Sequence, residues 1–450
     1  MDLVGLLRGI GGIILLLGIA FLLSNNRAKV NWKLVRNGLI LQIIFAILII
    51  KGDALSSFFA PLGWPKLFFS WISSFFVLIL NFTTEGAAFV FGALAQNPGH
   101  PESLGSFFAF QVLPTIIFFA SLMAILYHIG VMQKVVQGMA WIMAKFMGTS
   151  GAESLSCTAN IFVGQTEAPL MIKPFLKGMT KSELLTIMTG GMATIAGGVM
   201  AAYIQILGNS MAESMGVPLI EAQLTFATHL LGASVMAAPA ALVISKIIFP
   251  ETKEPETKGT VKINVEKSYS NVIESAAGGA GEGLRLALNV GAMLIAFIAL
   301  IALINYILQE LGLLFSINDY MVNTFGKPLS LELIFGLVLQ FLAFGIGVPW
   351  EAAMEFGSLF GTKIVLNEFV AYLNLGQMIE TKELFNEKAI LMATYALCGF
   401  ANFSSIAIQI GGISPLAPER RPDLAKLGIK AVIGGSLATL MTATLAGILF

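Results

Sequence analysis

Long apolar runs separated by short polar connections dominate the sequence. A helix that crosses a bilayer needs about 20 apolar residues, because it rises about 1.5 Å per residue through a hydrocarbon core of about 30 Å. On this criterion the pattern predicts eight membrane-spanning helices, at residues 3–23, 34–50, 106–131, 183–207, 220–249, 283–312, 387–411 and 428–449. We therefore expect an all-α integral membrane protein.

Composition agrees with this expectation. Hydrophobic residues make up 56% of the 450 residues and charged residues only 12%, whereas a soluble domain carries roughly a quarter charged residues. The formal net charge is zero. The basic residues form no dense run, so nucleic acid is not a predicted partner.

The distribution of basic residues predicts the orientation. Lys and Arg collect in cytoplasmic loops, and with the N-terminus outside these loops would hold Arg27, Lys29, Lys33, Arg36, Lys253, Lys258, Lys262, Lys267, Arg420, Arg421 and Lys426. The prediction is a multi-pass protein of the cytoplasmic (inner) membrane with both termini outside.

Four stretches do not fit a plain membrane-spanning helix. Residues 64–97 contain Trp64, Trp71 and Glu85 and predict a helix along the membrane interface or against neighbouring subunits. Residues 331–349 form another apolar piece, either interfacial or buried. Residues 151–178 and 351–380 are too polar and too interrupted to cross as single helices.

These last two stretches share a layout. Each has a central glutamate, Glu167 or Glu368, and each follows an apolar helix. Each precedes a span that is interrupted, at "TIAGG" in the first case and at "CGFANFSS" in the second. A unit with an odd number of crossings that occurs twice must be inverted the second time, and inverted repeats with broken helices are typical of secondary transporters.

The repeat divides the chain into four parts. Residues 1–104 would be N-terminal scaffold helices with the interfacial helix, and residues 105–250 the first repeat, with re-entrant hairpin 1 at about 151–178. Residues 251–281 would be a cytoplasmic linker. Residues 282–450 would be the second repeat, with re-entrant hairpin 2 at about 351–380.

Polar residues at the predicted breaks indicate a binding site. A glutamate in hydrocarbon costs roughly 3 kcal/mol on insertion scales, so Glu167, between Gly164 and Pro169, predicts a solvated site at a hairpin tip. The alternative is a carboxylate that snorkels or pairs with a lysine for structural reasons. In the second half, Glu368 is accompanied by Asn402 and Ser405, which suit a ligand rich in hydroxyl or amide groups.

Oxygen ligands for a cation also occur at the first breaks. Asn160 and Thr194 supply an amide and a hydroxyl, and the small residues beside Thr194 predict unwound backbone with free carbonyl groups. These hard ligands suit a sodium ion. The three histidines are scattered and no HExxH motif occurs, so the sequence does not favour a zinc enzyme.

Several long motifs carry a family resemblance. The stretches "ANIFVGQTEAPL", "GGMATIAGGVMAAY", "GVPWEAAMEFGSLFGTKIVLNEFVAYLNL" and "YALCGFANFSSIAIQIGGISPLAPERR" closely resemble the concentrative nucleoside transporters, and the similarity runs through nearly the whole chain. The resemblance implies cation-driven uptake of nucleosides such as uridine or adenosine by a homotrimer in the membrane. It also implies eight spans in the bacterial type, two re-entrant hairpins and a broken helix after each.

The resemblance further implies the roles of individual residues. The nucleobase would contact Gln165, Thr166, Glu167 and Val199, and the ribose would contact Glu368, Asn402 and Ser405, with Phe400 beside it. The sodium ion would bind the Asn160 side chain, the carbonyl groups of Val163 and Ile195, and Thr194. Thr194 replaces the serine of well-known bacterial members, but its hydroxyl can still coordinate a cation.

Other functions remain open at this stage. A proton could replace sodium as the coupling ion, or the carrier could move another small polar solute. Two glutamates without an opposing arginine disfavour an anionic substrate. An ion channel would need a continuous polar pore, and an intramembrane enzyme would need a Ser-His pair, an Asp pair or a metal cluster. We therefore expect a transporter and no enzyme activity.

Overall fold

The structure is a computed structural model that describes residues 3–97, 100–105, 107–259, 269–384 and 386–450. In these residues the chain forms helices and no β-strand, and one isolated bridge joins Ser150 and Lys258. The first ten helices are α1 (Leu3–Leu22), α2 (Trp32–Ile50), α3 (Gly52–Phe58), α4 (Trp64–Phe91), α5 (Phe108–Gln111), α6 (Leu113–His128), α7 (Val131–Met147), α8 (Gly151–Ala159), α9 (Lys173–Leu176) and α10 (Lys181–Ala193).

Ten further helices complete the described chain. They are α11 (Gly197–Met215), α12 (Leu219–Ile248), α13 (Val272–Leu314), α14 (Ile317–Phe325), α15 (Leu331–Gly345), α16 (Ala353–Val365), α17 (Glu368–Glu380), α18 (Glu387–Leu397), α19 (Phe403–Ile413) and α20 (Arg421–Leu449). The predicted all-α class is confirmed.

Eight segments of the described chain are long and apolar enough to cross a membrane, as predicted in number. They are Leu3–Leu22, Trp32–Ile50, Trp64–Ala95, Phe108–His128, Lys181–Met215, Leu219–Ile248, Val272–Leu314 and Pro418–Leu449. The predicted span at 387–411 is missing from this set because it is interrupted after Leu397, where the sequence predicted a break.

Helix α4 takes the place of that span among the eight. It is a single helix of 28 residues, about 42 Å long at 1.5 Å per residue. Its length and composition would allow it to cross the membrane, so the interfacial position predicted from Trp64 and Trp71 stays a prediction. Both tryptophans are exposed, as are several phenylalanines on the same helix.

Both chain termini lie at the same end of the helix bundle. Gly9 on α1 packs against Ile448 near the end of α20. The Lys51 ammonium, which follows α2, donates to the backbone carbonyl of Phe450 at 3.4 Å. This agrees with an even number of crossings, while the side of the membrane on which the termini lie stays a prediction.

Helix α12 forms the centre of the core. Every residue of its most apolar window is buried, and α2, α4, α10, α11, α18 and α20 pack around it. Helices α6 and α13 pack together through small residues. A side chain at Gly283 would lie 2.7 Å from the Cα atom of Ile117. Gly279 and Gly283 of "AAGGAGEG" therefore serve close helix contact.

A buried polar cluster holds together the start of hairpin 1 and the start of α10. Ser150 and Glu153 form a capping box on α8, and Thr180 and Glu183 form another on α10. The Ser150 hydroxyl donates to Glu183 Oε1 at 2.6 Å. The Lys246 ammonium, from α12, lies 2.7 Å from Glu153 Oε2. Three helices are thus joined at one end of the hairpin.

We expect Lys246→Met to destabilise the protein strongly. Removal of one partner leaves the Glu153 carboxylate buried without its counter-charge, which costs about 3–5 kcal/mol. The matched control is Lys258→Met, since the Lys258–Glu254 pair at 3.1 Å is solvent-exposed and is worth at most about 1 kcal/mol. Thermal unfolding of the purified protein in detergent measures both. Equal unfolding temperatures for the two variants would contradict the prediction.

Candidate functional site

Hairpin 1 turns at a non-helical tip. Helix α8 ends at Ala159, and the chain becomes helical again only in the short 3-10 turn Ala168–Ile172. The Gly164 carbonyl accepts from the N–H groups of Glu167, at 3.2 Å, and Ala168, at 3.1 Å, and so closes the turn. Every residue of α8 is buried, whereas residues 162–164 of the tip are half-buried.

The predicted tip residues differ in exposure. Glu167 is exposed, and one of its oxygens accepts from the Thr166 hydroxyl at 3.0 Å. Gln165 is only 7% exposed and points toward the second repeat. Val199 is buried in the first turn of α11. The tip thus combines an accessible carboxylate with a buried amide.

Hairpin 2 turns more sharply. Helix α16 ends at Val365, and α17 begins three residues later at Glu368. The Asn367 side-chain oxygen accepts from the Val370 N–H at 2.9 Å and caps α17. Glu368 is therefore the first residue of a capped helix, where the helix dipole favours a negative charge.

Glu368 is the centre of the second half of the site. Its side chain is buried, with 6% exposure. The Tyr203 hydroxyl donates to Oε1 at 3.1 Å, and the Asn402 amide donates to Oε2 at 3.0 Å. Each carboxylate oxygen thus has one protein donor, which is how a buried carboxylate is tolerated.

The break between α18 and α19 brings Asn402 to this carboxylate. Asn402 caps α19, because its side-chain oxygen accepts from the Ser405 N–H at 2.8 Å and from the Ser404 hydroxyl at 2.7 Å. The amide nitrogen of the same side chain is then directed toward Glu368. Phe400, in the same break, is half-buried.

The two breaks contact each other directly. The Phe400 N–H, in the second repeat, donates to the Thr194 carbonyl of the first repeat at 3.3 Å. Within the first repeat, the Gly197 N–H donates to the Phe162 carbonyl at the tip of hairpin 1 at 3.1 Å. The two repeats therefore meet where both are non-helical.

A series of hydrogen-bonded side chains also links the two repeats. The Gln165 amide nitrogen donates to the Ser405 hydroxyl at 3.1 Å. Gln409 donates to the Gln165 amide oxygen at 3.0 Å and to the Met188 carbonyl at 2.9 Å. Gln409 is fully buried, so it fixes which end of the Gln165 amide faces Ser405.

The predicted cation ligands gather at the first break. The Asn160 amide nitrogen donates to the Ser156 carbonyl at 2.9 Å, but its oxygen Oδ1 is buried without a hydrogen-bond partner. The Thr194 hydroxyl donates to the Gly190 carbonyl at 3.0 Å and is 1% exposed. Val163 lies three residues after Asn160 and Ile195 directly after Thr194, and Ile195 is fully buried.

A small cation fits this set of groups. A buried oxygen without a partner costs free energy, and a cation would supply the missing interaction for Asn160 Oδ1. All of the predicted ligands are neutral oxygens, as is usual for sodium sites in broken helices. In the described part of the chain no three His, Cys, Asp or Glu residues cluster as a transition-metal site would require.

Neither central glutamate forms an ion pair with a basic side chain of the described residues. Among the ion pairs of the described residues, none includes Glu167 or Glu368. Lys173, the nearest lysine to Glu167 along the chain, is exposed. An ion pair with a described lysine, one form of the structural alternative, is therefore not seen at either glutamate, and the roles of both stay predictions.

The sequence interpretation missed two residues of the site. Tyr203 lies in the quoted motif "GGVMAAY", and its hydroxyl is a polar atom in an apolar helix. Gln409 interrupts the apolar helix "SSIAIQIGG" and gave the same signal. A polar group in a buried helix needs a partner, but the sequence does not identify that partner.

The fold and the site together define a class. The protein is a multi-pass helical membrane protein in which two units of similar order, each with a helix–turn–helix hairpin and a broken helix, meet at a buried polar centre. This is the arrangement of an ion-coupled secondary transporter.

Three family models match successive parts of the chain. They are the Na+-dependent nucleoside transporter N-terminus at residues 11–94, the nucleoside recognition "Gate" at residues 109–210, and the Na+-dependent nucleoside transporter C-terminus at residues 229–447. With the relatives below, these matches show that the chain belongs to the Na+-dependent, or concentrative, nucleoside transporter family, as the motifs predicted.

Relatives and solved structures agree. The chain is 43% identical to the uncharacterized transporter YutK of Bacillus subtilis (strain 168), over 98% of each chain. It is 39% identical to sodium/nucleoside cotransporter 1 of Rattus norvegicus, over 98% of this chain and 63% of that longer protein. The structure of CNTnw in an inward-facing substrate-bound state has 39% identity and a TM-score of 0.84, over 99% of this chain and 98% of that one.

We expect Asn402→Asp to impair transport while preserving the fold. Aspartate caps a helix as well as asparagine does, but here it places a second carboxylate beside Glu368, and like charges at this distance repel strongly. Nucleoside uptake should fall by at least about tenfold and recover as the pH is lowered, because protonation of one carboxyl removes the repulsion.

The control is Asn31→Asp, which keeps the exposed cap of α2, where the side chain accepts from the Leu34 N–H at 3.2 Å. Uptake by this variant should match that of the unmodified protein. Full activity of Asn402→Asp at neutral pH would contradict the assignment of the Asn402 amide as a donor to Glu368.

Proposed function

We propose that the protein imports nucleosides across the cytoplasmic membrane by sodium symport. The observation that carries the proposal is the buried Glu368 carboxylate, held by Tyr203 and Asn402 at the start of α17 in a member of a Na+-dependent nucleoside transporter family. A buried carboxylate with one donor on each oxygen keeps unused lone pairs. These can accept from vicinal hydroxyl groups, such as those of a ribose.

The proposed site for the nucleoside lies between the two hairpins. Glu368, Asn402 and Ser405 would bind the ribose, with the half-buried ring of Phe400 as an apolar surface beside it. The hairpin 1 tip would bind the base through Gln165, Thr166, Glu167 and Val199. The hydrogen bond from Gln165 to Ser405 supports this division, because it shows that the two groups of residues adjoin.

The proposed sodium site is formed by Asn160, Thr194 and the carbonyl groups of Val163 and Ile195. The unpartnered Asn160 Oδ1 supports it. A sodium ion there would hold the hairpin 1 tip against the break at Thr194 and so order the groups that meet the base. Sodium and nucleoside would then raise each other's affinity by the same factor.

We further propose that transport is of the elevator type, in which the hairpins and broken helices carry the nucleoside past a static scaffold. Variants of CNTnw have been solved in outward-facing and intermediate states, and an outward-facing variant resembles this chain with a TM-score of 0.85. The same fold thus occurs in several states in a relative that is 38% identical.

A homotrimer is proposed on the family resemblance. Many large apolar side chains are exposed on the described surface, and α13 carries a large share of them, so subunit and lipid contacts would cover them. A proton-coupled nucleoside carrier is the second candidate function, since a carboxyl group in the membrane can carry a proton. The ion dependence of uptake decides between the two.

We expect Glu368→Gln to abolish uridine and adenosine uptake. The neutral amide can offer one acceptor oxygen, and its nitrogen would face a donor on the protein or on the ribose. Loss of a hydrogen bond to a charged group costs about 1.5–3 kcal/mol, which corresponds to at least about tenfold in affinity for each bond. The control is Glu221→Gln on the exposed first turn of α12.

The assay is uptake of labelled nucleoside into proteoliposomes under a sodium gradient, a proton gradient or neither. Sodium alone should drive uptake by the unmodified protein, and Asn160→Ala should remove that dependence. Uptake driven only by a proton gradient would show that the coupling ion is the proton and not sodium. Undiminished uptake by Glu368→Gln would reject the proposed role of Glu368.

A further inference from the structure

One fully buried lysine forms no ion pair with a carboxylate of the described residues. Lys363, on α16 of hairpin 2, has no exposed surface. Its ammonium donates to the Ala396 carbonyl at 2.8 Å and to the Thr439 hydroxyl at 3.0 Å, and lies 5.4 Å from the centre of the Phe360 ring. None of the ion pairs of the described residues includes it. Its surroundings are neutral oxygens and an aromatic face, as for a small bound cation.

The contact with Ala396 lies at the C-terminal end of the broken helix α18. The last four carbonyl groups of this helix all accept hydrogen bonds. The Tyr372 hydroxyl donates to the Thr394 carbonyl, the Cys398 N–H to that of Tyr395, Lys363 to that of Ala396, and the Gly399 N–H to that of Leu397. The negative end of the α18 dipole thus has its charge compensated within the protein.

The corresponding end of α10, in the first repeat, is different. In the described chain the carbonyl groups of Gly191, Met192 and Ala193 accept no hydrogen bond. Asn160 Oδ1 and the Ser156 hydroxyl oxygen, in the preceding hairpin helix and its cap, are also buried without partners. These two helix ends adjoin, since a side chain at Gly399 would lie 2.8 Å from the Met192 carbonyl oxygen.

We propose that Lys363 is a tethered cation that does in the second repeat what sodium does in the first. In each repeat a positive charge joins the hairpin to the C-terminal end of the broken helix that follows. The first repeat takes this charge from solution, so the inference rests on the proposed sodium site. The second repeat supplies it covalently, and therefore leaves no place for a second ion.

The tethered charge also has an electrostatic role near the substrate site. Lys363 and Glu368 lie on either side of the hairpin 2 turn, and Glu368 is buried without an ion-pair partner within 4 Å. The positive charge of the Lys363 ammonium, five residues earlier in the chain, lowers the cost of keeping the Glu368 carboxylate ionised. Lys363 is thus a positioning residue that acts through α18 and Glu368, without a place in the substrate contacts.

The test is to replace the tethered charge by a neutral side chain and supply the cation from solution. Lys363→Asn leaves an oxygen ligand and space beside the Ala396 carbonyl. We expect its uptake to require a second sodium ion, so that the Hill coefficient for sodium rises from about 1 toward 2. The sodium concentration for half-maximal uptake should rise at least about tenfold, as expected for loss of a charged hydrogen bond.

Thermal unfolding without nucleoside separates this inference from the proposed sodium site. In sodium chloride, compared with choline chloride, Asn160→Ala should lose the stabilisation that sodium gives the unmodified protein. The double variant Asn160→Ala with Lys363→Asn should regain a sodium response. If Asn160→Ala keeps its full response, the first sodium site is wrong. If Lys363→Asn adds no response to either background, the tethered-cation proposal is wrong.

Controls address stability. Lys177→Asn, at an exposed lysine of the first hairpin, should leave the sodium dependence of uptake and of thermal unfolding unchanged. Lys363→Met removes the charge without adding a ligand, and should lose uptake without gaining a sodium response. If Lys363→Asn folds only at high sodium, this supports the proposal. If neither Lys363→Asn nor Lys363→Gln folds at any sodium concentration, a cation from solution does not replace the ammonium and the proposal fails.

Discussion

The constraint on which this structure depends is that a backbone leaving the helical conformation inside a membrane must still find partners for its N–H and C=O groups. Each unsatisfied group would cost several kcal/mol in hydrocarbon. In the second repeat the helix starts at the breaks are capped by side chains, by Asn367 for α17 and by Asn402 for α19. The end of α18 is compensated by a hydroxyl group, by backbone turns and by one ammonium, and the end of α10 adjoins the proposed sodium site. The polar centre follows from this requirement.

Each repeat also supplies hydrogen-bond partners for the other. The Thr194 carbonyl accepts from Phe400, and the amide of Gln165 joins Ser405 to Gln409. Hairpin 1 therefore cannot change its position independently of α19 without breaking buried hydrogen bonds. In the proposed mechanism, a ligand that orders one break would affect the other through these bonds, and this would couple ion and substrate binding.

Much of the fold could be predicted from local patterns in the sequence. The residues that pair across long sequence distances in the site could not. Apolar length predicted most spans, and the small and polar residues around Thr194 and Asn402 predicted the breaks, because backbone requirements act within a few residues. Tyr203 and Gln409 escaped prediction because their partners lie 165 and 244 residues away in the chain. Periodicity carries no information about such pairs. The position of α4 is also undetermined by pattern, since an apolar helix of this length suits the interface or the interior.

The two central glutamates differ in exposure and hydrogen bonding, and this difference suits them to different proposed roles. Glu167 is exposed and, among the described residues, its carboxylate is hydrogen-bonded to its neighbour Thr166 alone, so in the proposed site a base would reach it at little desolvation cost. Glu368 is already desolvated and bound by two donors, and in the proposed site a ribose hydroxyl would fit beside them. Hydrogen bonds to such a preorganised buried carboxylate discriminate strongly, because a ligand without the hydroxyl leaves a buried acceptor unmatched. Glu167 therefore suits a first and tolerant contact, and Glu368 suits the contact that selects a sugar.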